Sequence, residues 1–495
     1  MSNTRLSILS VLLLIILPML IFWRAQQYDF VNWDDDLYVY NNPMVRSFEP
    51  DNVKAWFTKP YIGMYVPLTL ASYALDDMLY GVSAQGYHRT GLILHIINGV
   101  LVFLLLRRMF GCVVAPLAGA LLFSLHPVQV ESVIWISQRK SLLFSFFFLL
   151  GLFTWSGSPG KVEGEKRRLF WGTVLFVAAI LSKITAVVIP LVYFSYDYFF
   201  EKQRLARRSA WYLAFLILAA VLGIVTLALY PDVLRVGDMA AIKAHAAHQL
   251  SALALYLQLI VWPSDLDLFY AVPPAVAGNL LGLLTVGGVL LFLMGVFLSV
   301  RWKMTIGFWG CWTLFFLVPV CSLFRVPVGD RHLYMPLVGM IGLLLMILKS
   351  RPRLAAALLF AAVMACAPIS YARTAVWQNG GTLWESVKVR GDFYYRIGVH
   401  MARHYEDAGE SEKAIAVYRK VIDAHWKYLP YAHINLYGLY RDQGDFAGAQ
   451  ELALRFKMEF GNDFDLESIY TTLLTLKPDP QKVRSYLHGL FGDNV

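Results

Sequence analysis

LSILSVLLLIILPMLIFW, Leu6 to Trp23, carries no charged side chain over eighteen residues. A helix needs roughly 20 apolar residues to cross about 30 Å of hydrocarbon, so this run reads as a membrane crossing. Comparable runs follow near 91–109, 113–126, 139–156, 169–183, 184–200, 209–230, 277–299, 304–324, 333–348 and 353–371. Several fall short of a full span and borrow flanking aromatics. Hydrophobic residues make up 58% of the 495 and charged residues only 16%, whereas a soluble chain is typically about half apolar and a quarter charged. The excess is concentrated in runs between short polar loops, which excludes a soluble globular class. The expected fold is all-α: a polytopic membrane protein of about eleven transmembrane helices.

The net charge of +9 invites a nucleic-acid partner, but the basic residues sit in short loops between apolar runs. Arg107 and Arg108, Lys161 with Lys166 to Arg168, Lys202 with Arg204, Arg207 and Arg208, Arg301 with Lys303, and Lys349 with Arg351 and Arg353 fall on alternate connections. The positive-inside rule makes that side cytoplasmic, so no nucleic acid is implied and the N-terminus lies inside. Counting 248–263 as a span would put Arg301 and Lys303 outside, so it is read as non-spanning. The first run is long for a signal peptide and lacks a small-residue cleavage site, so it is read as an anchor. The four cysteines, Cys112, Cys311, Cys321 and Cys366, lie in apolar segments without metal-ligand spacing and read as packed small hydrophobes.

Past Tyr371 charge rises and the apolar runs stop. Tyr405, Gly409 and Ala414 recur as Tyr440, Gly444 and Ala449, 35 residues on, close to the 34-residue period of tetratricopeptide repeats. Tyr418, opposite Ala453, breaks the pattern. Two repeats are read at 394–428 and 429–463, with LESIYTTLLTL and the residues after it as a cap; an unspecified helical bundle is the bland alternative. The expected organisation is a transmembrane domain over 1–371 with an external loop at 24–90, a linker at 372–393 and a repeat domain, a short TPR-like α-solenoid, at 394–495. Helical repeats bind protein segments in a concave groove, so a polypeptide partner is expected.

The first external loop opens with VNWDDDLYVYNNP, Val31 to Pro43, three carboxylates framed by Trp33, Tyr38 and Tyr40. On the same side the topology collects Asp76, Asp77, His88, His95, His126, Glu131, Arg139, Lys140, Lys183, Arg325, Asp330, Arg331 and His332. Ionisable groups at membrane depth are costly and mark functional sites. Together they describe an outward cavity suited to transfer from a lipid-phosphate donor. A carboxylate takes the proton of an acceptor hydroxyl, and cations hold the phosphate as its bond breaks. Bland readings stand beside these: a solvated cap for Asp34–Asp36, a polar helix seam for His88, His95 and Asn98, a snorkelling pair for Arg139 and Lys140. Lys183 has no acidic neighbour in sequence, which favours an anionic partner. Asp34 and Asp36 also offer a two-carboxylate chelate for a divalent cation such as Mg or Mn.

Six stretches in register carry a resemblance: FVNWDDDLYVYNNPMV, GYHRTGLILHIINGVL, SLHPVQVESVIWISQRKSLL, LSKITAVVIPLVYFSYDY, VGDRHLYMPLVG and RTAVWQNGGTLWESVKV. With the repeats, they resemble the multi-spanning GT-C glycosyltransferases with C-terminal tetratricopeptide repeats, the transmembrane-and-TPR O-mannosyltransferases, in wording closer to bacterial members. The resemblance implies inverting transfer of a sugar from a polyprenyl-phosphate donor to a hydroxyl, on protein or on a glycolipid or cell-envelope polysaccharide. It implies a catalytic acidic pair at Asp34 and Asp35, with Asp36 an extra carboxylate that blurs the register. It also implies a donor and acceptor site drawing on His126, Glu131, Arg139, Lys183 and Arg331, beside which the sequence sets His88 and His332. Thr90 or Gly91 stands where members carry Asn, and Ser141 where they carry an acid. The location expected is a bacterial inner membrane with the repeats in the periplasm, or an endoplasmic reticulum membrane in a eukaryote. Two other classes, a secondary transporter and a non-catalytic membrane-anchored scaffold, compete. The first lacks the inverted duplication it requires, and the second has no need of an ionisable cavity.

Overall fold

The computed structural model describes residues 3–61, 64–157, 164–229, 239–270, 280–320, 328–388, 394–425, 430–461, 464–476, 486–487 and 489–491. Among them the chain is all-α apart from one isolated bridge between Tyr61 and Met64. It divides into two compact units, Met1–Tyr28 with Asn42–Ala375, and Asp29–Asn41 with Val376–Val495. Lys161, Cys321, Arg325, the ends of both expected repeats and parts of the expected crossings at 277–299 and 304–324 lie outside the described residues.

The first unit begins with α1 (Asn3–Phe22), α2 (Pro50–Thr58), α3 (Pro67–Tyr80), α4 (Ala84–Phe110) and α5 (Val114–Leu125). It continues through α6 (Val130–Ile134), α7 (Arg139–Ser156), α8 (Glu165–Ile180), α9 (Ile189–Phe200) and α10 (Leu205–Leu229). The remainder is α11 (Met239–Val261), α12 (Leu280–Arg301), α13 (Ile306–Leu317), α14 (Pro336–Ile347) and α15 (Pro352–Thr374). Local chemistry sets several of these ends. Gly111, at φ 71°, closes α4 in the left-handed conformation that glycine tolerates. Arg107 and Arg108 in the same last turn oppose the helix dipole. Pro352 opens α15, where a missing N–H costs nothing.

Among the described residues five helical stretches are long and apolar enough to cross a membrane: Thr4–Gln27, Ala84–Phe110, Ile136–Ser156, Lys202–Ile224 and Pro352–Trp377. Val114–Leu125 with Pro127–Ile134 makes a sixth if that bent pair is one span, and shorter apolar helices account for 184–200, 248–261, 287–301, 306–317 and 336–347. Leu9, Leu12 and Leu20 of α1, Leu291 and Phe297 of α12 and Met364 of α15 are exposed. Such apolar surface belongs against lipid, and the chain is a multi-pass membrane protein. Its core is polar where a soluble core would not be. From Ala115 to Leu142 every residue is buried, including His126, Gln129, Glu131, Gln138, Arg139 and Lys140. Small residues on α5 permit the crowding: a Cβ added at Gly119 would stand 2.7 Å from Ile341 of α14.

The second unit contains α16 (Gly380–Glu385), α17 (Tyr394–Asp407), α18 (Ser411–His425), α19 (Pro430–Asp442), α20 (Phe446–Phe460) and α21 (Leu466–Leu476). Within the expected linker, α16 is a capped helix: Asn379 accepts from the Thr382 amide and the Thr382 hydroxyl accepts from the Asn379 amide. The 35-residue repeat has a geometric counterpart. Gly409 (φ 74°) and Gly444 (φ 76°) are both left-handed helix stops. The amide after each bonds back to the carbonyl of Tyr405 or Tyr440 at 2.8 Å. Ala414 and Ala449 are both buried behind them. Tyr418, the exception to the pattern, is buried and donates to Glu406 at 3.1 Å.

Residues 29–41, read from sequence as part of the membrane domain's external loop, pack with this second unit. Trp33 stacks on Trp377 at 6.2 Å between ring centres and lies 5.9 Å from Trp384. Asn32 accepts from the Trp384 indole at 2.7 Å and donates to the His400 carbonyl at 2.6 Å. The Asp29 amide bonds to the Gln378 carbonyl at 3.0 Å. Aromatic burial and paired polar groups outcompete the loop's short tether to the first crossing.

Candidate functional site

In the first unit the site is built on a broken helix. Proline disfavours helical geometry in the residue before it, and His126, ahead of Pro127, is extended (ψ 137°). The chain bends by 51° there. The His126 Nδ1 accepts from the Val128 amide at 3.4 Å and Nε2 donates to the Ile260 carbonyl at 3.1 Å. Both ring nitrogens are thus used on backbone, which defines the tautomer. His126, expected to contact substrate, is a 1%-exposed bracket for the turn.

That turn aims Glu131, in the first turn of α6, at the segment before α14. Its Oε2 accepts from the Arg331 amide at 2.9 Å and its Oε1 from Arg331 Nη1 at 2.7 Å. The guanidinium also lies 5.7 Å from the Trp135 ring centre. Next to it, Asp330 accepts from the Tyr270 hydroxyl at 2.5 Å. Burial, reinforced by the charge of Glu131, pushes the Asp330 carboxyl well above its ordinary range. The Tyr270 hydroxyl in turn accepts from the Asp267 amide at 3.2 Å, and neither Asp267 nor Tyr270 is marked by any spacing in the sequence.

Arg139 and Lys183, both expected to hold donor phosphate, have different surroundings. Arg139 opens α7 and is 1% exposed. Its Nη2 meets Asp76 Oδ2 at 2.7 Å and the Tyr87 carbonyl at 2.8 Å, and it packs against the Tyr73 and Tyr87 rings. The other Asp76 oxygen accepts from Thr90 at 2.8 Å. Arg139 is therefore part of a buried ion pair, neither a snorkelling cation nor an open anion receptor. Thr90, a departure from the family wording, supplies a hydroxyl to that pair.

Lys183 donates to the Ser141 hydroxyl at 2.8 Å, and Ser141 donates to Gln138 at 2.9 Å. No carboxylate lies within ion-pair distance of Lys183 among the described residues. Lys183, Ser141, Ser145, Thr185, Arg331 and His332 line one narrow cavity with Phe144, Phe316 and Met335. Its free space is about 20 Å³, room for one water. The Ser145 hydroxyl, on a fully buried residue, has no hydrogen-bond partner among the described residues.

His332 stands edge-on to Tyr256 at 6.2 Å. His88 is buried near Tyr28, 6.5 Å between ring centres, and is not among the residues lining the cavity. The polar seam involves His95 and Asn98: His95 bonds the Tyr334 hydroxyl at 2.8 Å and the Ser124 carbonyl at 3.0 Å, and Asn98 donates to Leu142 and Tyr334.

In the second unit the three aspartates differ. Asp34 is half-buried and non-glycine at φ 65°. Asp35, 1% exposed, accepts from the Val31 amide at 3.2 Å. Asp36, 3% exposed, faces Arg403 of α17 at 3.5 Å. Burial raises its carboxyl above the ordinary range, Arg403 pulling the other way and Asp34 adding to the rise. Among the described residues no three His, Cys, Asp or Glu side chains converge as metal ligands. With Asp36 turned to a guanidinium, the Asp34–Asp36 pair does not fit a divalent cation, and no step is routed through one.

No protein-family model matches the chain, and no solved structure matches it. Among curated proteins it is similar to mouse protein O-mannosyl-transferase TMTC3, 27% identical over 121 residues, 24% of this chain and 13% of that one. It is 32% identical to human TMTC3 over 137 residues, 26% of this chain and 14% of that one. Human protein O-mannosyl-transferase TMTC1 is 29% identical over 205 residues, 36% of this chain and 22% of that one. The chain thus spans about an eighth to a fifth of the length of these relatives, all named as protein O-mannosyl-transferases.

Proposed function

We propose that this chain is a membrane glycosyltransferase that moves a sugar, mannose by analogy with the relatives' names, from a polyprenyl-phosphate donor to a hydroxyl on a protein acceptor. The observation that carries the reading is Lys183: a half-buried amine that, among the described residues, is answered only by a serine hydroxyl, in a cavity that also receives Arg331, Ser145 and His332. An amine so placed invites an anion, and the apolar wall of Phe144, Phe316 and Met335 suits the lipid that carries it. The cavity's small volume means that a phosphate enters only by taking the place of the Lys183–Ser141 hydrogen bond.

In the proposed step the acceptor oxygen attacks the anomeric carbon from the face opposite the phosphate. The carbon–phosphate-oxygen bond breaks, its electron pair leaves with the phosphate, and the hydroxyl proton passes to a carboxylate base. Inversion follows from the single displacement. Glu131 holds Arg331 at two points, so the guanidinium meets the growing phosphate charge already oriented. A phosphate monoester leaves without protonation, so the chemistry needs no dedicated general acid. The reading extends to about eleven crossings, tetratricopeptide-type pairs in α17 to α20 that present the acceptor, and a site on the outer face of a bacterial inner membrane.

The test uses purified protein in lipid nanodiscs with a panel of radiolabelled polyprenyl-phosphate sugars and unfolded or peptide acceptors. Wild type is expected to transfer label to protein, and Lys183→Met to weaken donor binding by at least about tenfold while keeping its melting temperature. Donor binding unchanged in Lys183→Met would remove the phosphate site. Label appearing only in lipid or polysaccharide would replace the protein acceptor.

A further inference from the structure

Three aspartates stand in the acidic loop and one displacement needs one base. We propose that Arg403 of α17 is a positioning residue that anchors the loop through Asp36, leaving Asp34 as the carboxylate offered to the acceptor hydroxyl. This rests on the glycosyl-transfer reading and adds to it. The repeat helices then belong to the catalytic apparatus, beyond any part in recruiting the acceptor.

The three carboxylates are not equivalent in their commitments. Asp35 is 1% exposed and bound to the Val31 amide, which closes the start of the loop on itself. Asp36 is 3% exposed and turned to Arg403. Asp34 alone is half-exposed, and its backbone sits in the left-handed region that a non-glycine residue adopts only when its surroundings impose it. Those surroundings are visible. The Tyr38 amide bonds to the Asp34 carbonyl at 2.8 Å and the Asn41 amide to the Asp36 carbonyl at 2.9 Å. Asn32 is clamped between the Trp384 indole and the His400 carbonyl one turn before Arg403 on α17. A loop fastened at Asn32 and again at Asp36 holds the residue between them.

Asp36 faces Arg403 from α17, with Asp34 and Tyr40 on its own loop; behind Arg403 stand Asp407 of α17 and Tyr418 of α18, the latter bonded to Glu406. Burial outweighs the guanidinium and leaves the Asp36 carboxyl above its ordinary range. The pair is therefore poor as a source of stability. The Arg403 side chain is 41% exposed against 4% for Asp36, so what the pair contributes is the position of the loop.

The experiment takes the full-length chain in nanodiscs with whichever radiolabelled polyprenyl-phosphate sugar wild type transfers, measuring kcat and acceptor KM. Asp34→Asn is expected to lose at least about 1000-fold in kcat. Asp36→Asn and Arg403→Ala each lose about 10- to 100-fold in kcat with acceptor KM within about twofold, and the double variant is no worse than either single. Arg403→Lys recovers to within about fivefold of wild type. Hydrogen exchange at Tyr38 and Asn41 quickens in Arg403→Ala while α19 and α20 keep their protection. Activity within twofold of wild type in Arg403→Ala, additive losses in the double variant, or exchange quickening throughout α17 to α20 without rescue by lysine would each overturn the anchor. Collapse in Asp35→Asn or Asp36→Asn with Asp34→Asn active would overturn the choice of base. If wild type transfers none of the sugars, the glycosyl-transfer reading fails instead, and the exchange pattern still decides whether Arg403 holds the loop.

Discussion

Arg139 and Lys183 look alike in sequence, each a basic residue beside an apolar run, and the structure gives them different surroundings. What separates them is the partner: Asp76 lies 2.7 Å from Arg139, while among the described residues Lys183 meets only Ser141. The Asp76 carboxyl stands above its ordinary range because burial outweighs the pull of Arg139. Such a group binds its proton more tightly in the folded chain than in the unfolded one. Stability attributable to it is therefore fullest at low pH and is lost as pH rises through the folded value. Arg139→Met removes the opposing charge and raises the carboxyl further. We expect a loss of about 3–5 kcal/mol at pH 8 and a visibly smaller one at pH 5.5, read as melting temperature by intrinsic fluorescence. An equal loss at both pH values would mean that the ring contacts with Tyr73 and Tyr87, not the charge pair, hold the residue. None of this was legible in the stretch SQRK, since Asp76 lies 63 positions earlier and reads as the polar end of an interfacial helix.

At the scale of elements, punctuation was the most legible feature. Gly111, Pro352 and the paired Gly409 and Gly444 mark helix ends where local rules put them. A Cβ added at Gly409 or Gly444 meets nothing within 4 Å, so a substitution there tests backbone strain alone. The left-handed conformation costs an L-residue about 1–2 kcal/mol, and Gly409→Ala or Gly444→Ala is expected to lower the melting temperature of the second unit by several degrees. Asparagine, which tolerates the same conformation, should cost less at either position. A loss in alanine no greater than in asparagine would show that the turns tolerate another conformation. The broken helix at His126–Pro127 was less legible: a proline announces a break, but its angle, and so the direction of Glu131, depends on where Ile260 supplies a carbonyl for the His126 ring.

At the scale of the whole molecule, the loop at 29–41 contradicts its position in the chain. It sits between the first crossing and α2, yet its contacts are with residues beyond 375. Deleting Val376–Val495 therefore strips the acidic loop of Trp377, Trp384 and Arg403 as well as the repeats. With a small soluble hydroxyl acceptor that needs no docking surface, the truncated chain should still bind a polyprenyl-phosphate donor but lose turnover by at least about 100-fold. Turnover retained on that acceptor would confine the tail to recruitment.

By itself the sequence determined the membrane class, the helical content and the 35-residue recurrence of Tyr, Gly and Ala, because hydropathy and glycine act within a few residues of where they stand. Only the tertiary structure decided which polar group meets which: Glu131 with Arg331, 200 residues apart, Asp76 with Arg139, Asn32 with Trp384, and Asp36 with Arg403. Burying an ion requires a partner, and the packing of distant helices, which no local pattern encodes, supplies one to Arg139, while among the described residues no carboxylate stands within ion-pair distance of the half-buried Lys183.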